Sequence, residues 1–89
     1  MKIYMITYDL VAPGQNYKGL IEAIKANYTW WHFIESSWLI HTSDSASSIY
    51  AKIKQSFDGN DRVLIIQVTN DYQGWLPEDA WKWIKEKIG

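Results

Sequence analysis

Two segments of this 89-residue chain, Lys2–Asp9 (KIYMITYD) and Arg62–Thr69 (RVLIIQVT), read as β-strands with bulky side chains on both faces. Successive residues of a strand point to opposite sides. Ile3, Met5 and Thr7 therefore oppose Tyr4, Ile6 and Tyr8 in the first, and Val63 and Ile65 oppose Leu64, Ile66 and Val68 in the second. A sheet built around such strands needs cover on both sides. A chain this short buries only about 60% of the surface its unfolded form exposes, so that cover is hard to supply from one copy. The apolar share of 47%, with six Trp and six Tyr, excludes a disordered chain.

The intervening segments supply the other elements. Pro13-Gly14 marks a turn. Leu20, Ile21, Ala23 and Ile24 then form an apolar stripe apart from Lys18, Glu22 and Lys25, which predicts a helix from Asn16, its cap, to about Asn27. Thr29–Thr42 (TWWHFIESSWLIHT) is rich in strand formers and long for one strand. It fits two strands with a reversal near Glu35-Ser36-Ser37, or one long bent strand. A second helix is expected from Ser43 or Asp44 to about Phe57, with Ala46, Ile49, Tyr50, Ile53 and Phe57 on its apolar face. Asp58-Gly59-Asn60-Asp61 ends it. Pro77 opens a third helix with Glu78 and Asp79 in its first turn, Lys85 and Lys87 in its last, and a stripe of Trp81, Ile84 and Ile88.

The order is β-α-β-β-α-β with an appended helix, an α+β chain forming one domain over residues 1–89, with a core over 1–70 and the C-terminal helix region over 75–89. In sheets of this order two helices cover one face. The other falls to the third helix or to a second copy, and a homodimer is the expectation.

Composition narrows the function classes. Nine Lys plus Arg against ten Asp plus Glu give a net charge of −1, which argues against non-specific coating of nucleic acid, a mode that depends on many cations at phosphates. The absence of Cys removes disulfides, thiolate zinc sites and cysteine nucleophiles. No apolar run approaches the ~18 residues of a membrane span and the N-terminus lacks a signal-peptide layout, so a cytoplasmic, membrane-free location is expected.

Among polar residues Asp9 carries most information, because it ends a central strand just before a turn. A carboxylate there can bind Mg²⁺ with water filling the other positions, and a two-fold axis would bring two copies together. The structural alternative is an Asp that bonds to loop amides. Asp61 and Asp71 flank the second apolar strand and read as solvated turn residues unless the fold brings them to Asp9. His32 and His41 could supply acid–base chemistry, or pair with Ser36 or Ser37, but both alternate with Trp and Ile in strands, as half-buried structural residues do. The tryptophans at 30, 31, 38, 75, 81 and 83 read as core or interface packing rather than as a base-stacking platform, since no cationic groove accompanies them.

A strand ending in Tyr8-Asp9-Leu10, a helix, a β segment with Ser36-Ser37-Trp38, a second helix and then Asp61-Arg62-Val63-Leu64-Ile65-Ile66 resembles the CRISPR-associated endoribonuclease family, the small non-integrase partners in spacer acquisition. The likeness spans about residues 1–70 and is nearest to bacterial relatives labelled SinR-like, with VapD-type ribonucleases more distant. It implies a ferredoxin-like homodimer whose sheets meet face to face, metal-dependent cleavage of RNA or DNA, and Asp9 as Mg²⁺ ligand and catalytic residue. The competing expectation is a non-catalytic dimeric interaction module. A repressor-like DNA binder would need a basic helix, and the chain offers none.

Overall fold

Strand β1 (Lys2–Asp9) lies inside a four-stranded antiparallel sheet in the computed structural model, which describes residues 1–11 and 17–88. The sheet order is β2-β3-β1-β4, with β2 at Thr29–Ile34, β3 at Ser37–Thr42 and β4 at Arg62–Val68. Helices α1 (Tyr17–Asn27), α2 (Ala46–Ile53) and α3 (Glu78–Ile88) follow β1, β3 and β4. The fold is ferredoxin-like, two interleaved split βαβ units, with a C-terminal helix added. The Pro13-Gly14 turn and the Asn16 cap lie outside the described residues. No helix among the described residues is long and apolar enough to cross a membrane.

The segment over residues 29–42 is a hairpin, not one bent strand. Its reversal has weak local turn chemistry and is held by neighbours instead. The Ser36 carbonyl accepts from Tyr8 N–H at 3.1 Å, His32 Nε2 lies 3.0 Å from the Glu35 carbonyl, and Ser37 Oγ donates to Thr7 Oγ1 at 2.9 Å. A register shift between Trp31 and Ile34 marks a bulge in β2.

One sheet face holds the main core. Tyr4, Ile6 and Tyr8 of β1, with Trp38 and Ile40 of β3, pack against Leu20 and Ile24 of α1 and Ile49 and Ile53 of α2. The cap of α2 is Ser45, whose side chain accepts from Ser48 N–H, rather than Ser43 or Asp44. Asp44 is committed elsewhere: its Oδ2 accepts from Tyr28 Oη at 2.9 Å and Lys52 Nζ at 2.8 Å. Regular α-helix stops at Ile53 and tightens into a 3-10 turn over Lys54–Ser56. Phe57 then turns extended and meets the Tyr8 ring edge-on at 6.3 Å.

The other face, carrying Ile3, Met5 and Thr7, is covered over only part of its area. Helix α3 lies against β1 and β2, where Ile3 is 1% exposed and Ala80 and Ile84 are buried. Toward the C-terminal end of β1 the cover runs out. Leu64 and Ile66 of β4, and Phe33 and Ile34 of β2, remain about half exposed. The third helix therefore answers part of the demand made by two-faced strands and leaves an apolar strip.

Candidate functional site

Asp9 is exposed at the C-terminal end of β1 and directly opposite Arg62 in the β1–β4 register. Strand alternation gives it the parity of Met5 and Thr7, and Met5 and Thr7 pair with Ile66 and Leu64. The carboxylate thus sits at the end of the uncovered strip, beside a shallow cleft lined by Thr7, Tyr8, Arg62, Val63 and Leu64. Opposite charges facing each other across a strand pair favour that register.

Tyr8 anchors this strand end from below. Its Oη accepts from Trp38 Nε1 at 3.1 Å, and its ring meets Tyr17 and Phe57. Burial pushes the Tyr8 phenol above its ordinary pKa, against the opposing effect of the Trp38 hydrogen bond.

Asp61 is adjacent to the site but committed to backbone amides. Its Oδ1 accepts from Val11 N–H and its Oδ2 from Asp58 N–H, both at 3.0 Å. One side chain thereby ties the exit of β1 to the turn before β4, as a turn aspartate does. Asp71 lies beyond the opposite end of β4, where Val68 pairs with Ile3, so the fold does not bring it to Asp9.

The histidines are separated by the sheet. His32 stacks on Trp38 at 3.8 Å and 10° on the α1/α2 side. His41 pairs with Ile3 on the α3 side, and burial holds it below its ordinary pKa of 6.5, with Lys87 and the N-terminal amine adding to the effect. Neither joins Asp9, and Ser37 is engaged with Thr7. Among the described residues no three His, Asp or Glu side chains gather into a group able to hold a metal ion.

Most of the tryptophans pack, as expected. Trp30 meets Trp38 at 5.1 Å with the rings tilted by 59°, and carries Lys25 Nζ 4.7 Å above its ring. Trp31 stacks with Phe33 and Trp83, and Trp81 with Tyr72. The exception is Trp75, 98% exposed. It borders a feature that the sequence reading missed, an apolar groove of about 260 Å³ between α3, residues 72–76 and the second sheet face. Trp31 lines this groove, and its buried Nε1 makes no hydrogen bond among the described residues. The available signal was Gly74-Trp75-Leu76-Pro77, two large apolar residues in a linking segment.

Compared with known proteins, the chain matches no family model, no curated protein and no solved structure.

Proposed function

We propose that the chain acts as a homodimer joined through the uncovered end of its second sheet face, and that this dimer is a metal-dependent endonuclease on RNA or DNA. The observation that carries the reading is the placement of Asp9 at the end of the apolar strip formed by Leu64 and Ile66. Pairing two strips about a two-fold axis sets two Asp9 carboxylates at the rim of one interface. Mg²⁺ is commonly held by one or two protein carboxylates plus water and substrate phosphate. A single Asp9 meets the lower number and the pair the higher, so the donor set fits that ion. A bound Mg²⁺ supplies polarisation of a phosphoryl oxygen and a lower pKa for an attacking water.

The chain's own residues have separate tasks in this reading. Asp9 is the catalytic residue and metal ligand. Arg62 offers a guanidinium suited to a substrate phosphate. Tyr8, fixed by Trp38 and Phe57, positions the strand end that presents Asp9.

The test is cleavage of labelled RNA and duplex DNA with Mg²⁺ or Mn²⁺ by wild type and Asp9→Ala, alongside sedimentation at micromolar concentration. Cleavage lost in Asp9→Ala is the expected result. Equal cleavage by both proteins removes Asp9 from the mechanism. A dimer inactive in both forms favours the second reading, a non-catalytic dimeric interaction module. That reading draws on the net charge of −1 and on the apolar strand faces, where Leu64, Ile66, Phe33 and Ile34 stand about half exposed. A monomer at that concentration refutes both.

A further inference from the structure

We infer that Trp75 is the anchor of self-association, seating in the apolar groove of a second copy of this chain. The groove has a floor from the second sheet face, including Met5, Leu39 and Val68, and walls from Trp31, Trp81 and Ile84. At about 260 Å³ it lies just below the ~300–1,000 Å³ of typical small-ligand pockets, a scale suited to one large side chain. Trp75 stands at its border with its indole in water. Tryptophan, with Tyr and Arg, is enriched at interface hot spots, which sit in well-packed, desolvated pockets.

A second copy is the occupant that the geometry favours. Each protomer carries both the projecting indole and the recess, side by side. A two-fold axis near their shared border seats both indoles at once, the self-complementary arrangement of an isologous dimer. The groove floor is also continuous with the apolar strip, because Phe33 and Ile34 belong to both. With full side-chain areas near 200 Å², the exposed fractions of Trp75, Leu64, Ile66, Phe33 and Ile34 offer on the order of 600 Å² per protomer. The pair then reaches about 1,200 Å², the lower bound for stable specific interfaces; without Trp75 it falls short. The inference rests on the dimer face proposed above and is independent of nuclease activity.

The experiment compares wild type, Trp75→Ala and Leu64→Lys by sedimentation over a concentration series, with tryptophan emission read on the same samples. Wild type is expected to dimerise with an emission shift to shorter wavelength as concentration rises. Trp75→Ala is expected to keep its far-UV dichroism, lose that shift and associate about 1,000-fold more weakly, since the substitution removes one interface hot spot from each of the two protomers. Leu64→Lys is expected to weaken association as well. If Trp75→Ala dimerises as tightly as wild type, the anchor is wrong and the strip can still pair. If only Leu64→Lys dimerises like wild type, Trp75 is retained and the strip is overturned. A wild type that stays monomeric overturns both, including the case of a blue-shifted, concentration-independent emission, in which Trp75 closes on its own groove.

Discussion

Tyr8→Phe isolates one buried hydrogen bond beneath the candidate site. Trp38 is 1% exposed and Tyr8 6% exposed, so the bond from Trp38 Nε1 to Tyr8 Oη lies away from solvent. The substitution keeps the ring, and with it the contacts to Phe57 and Tyr17. It leaves an indole N–H without an acceptor, and an unsatisfied buried donor costs about 1–3 kcal/mol. For a chain of this size each kcal/mol moves Tm by about 4–8 °C, so the midpoint of about 2 kcal/mol predicts a fall of roughly 8–16 °C. Urea unfolding followed by far-UV dichroism measures the change, with an m-value equal to wild type showing that both end states are preserved. Trp38→Phe and the double variant complete a cycle, in which the double should cost less than the sum of the singles. A Tyr8→Phe effect no larger than an ordinary surface substitution, within about 0.5 kcal/mol, would refute the reasoning and leave Tyr8 as a packing residue only.

Three further outcomes follow from the same packing. Ile84→Ala, at 5% exposure the inward anchor of α3, should lose about 2–5 kcal/mol and increase binding of a hydrophobic dye as α3 loosens from the sheet. Asp44 is held below its ordinary pKa of 3.8 by the hydrogen bonds from Lys52 and Tyr28; its contribution is present above 3.8 and lost as pH falls through the lower folded value, so the acid branch of a stability–pH curve should flatten in Asp44→Ala. His41 has a folded pKa below 6.5, so the native state takes up its proton less readily than the unfolded state. Stability should therefore decline as pH falls from about 6.5 toward the folded value, and His41→Gln should remove that decline in urea titrations.

Periodicity made the strands and helices legible, because Tyr4, Ile6 and Tyr8 alternate and Ile49 and Ile53 recur at helical spacing regardless of what they touch. The hairpin was readable only as one of two options. Its reversal is fixed by the long-range bond from Tyr8 N–H to the Ser36 carbonyl, which no local pattern encodes. The α2 cap was misplaced for a related reason: Ser43, Asp44 and Ser45 are all competent caps, and Asp44 is claimed by Tyr28 and Lys52 from elsewhere in the fold. That β1 and β4 need cover on both faces could be read directly. How far α3 satisfies the need could not, since it depends on where residues 69–77 deliver that helix. The position of Asp9 at a strand end was legible, whereas its lining up with Arg62 and the Leu64–Ile66 strip required the β1–β4 register.

The cluster of Trp30, Trp38 and His32 gives edge strand β2 an optical signature of its own. The imidazole lies flat on Trp38, the two indoles are tilted against each other, and Lys25 stands above the Trp30 ring. Near-ultraviolet dichroism responds to fixed aromatic packing while the far-ultraviolet signal follows backbone structure. Two indoles 5.1 Å apart should dominate the former. Peeling of this one border strand can thus be watched as a spectral event separate from melting of the helices, with no added label.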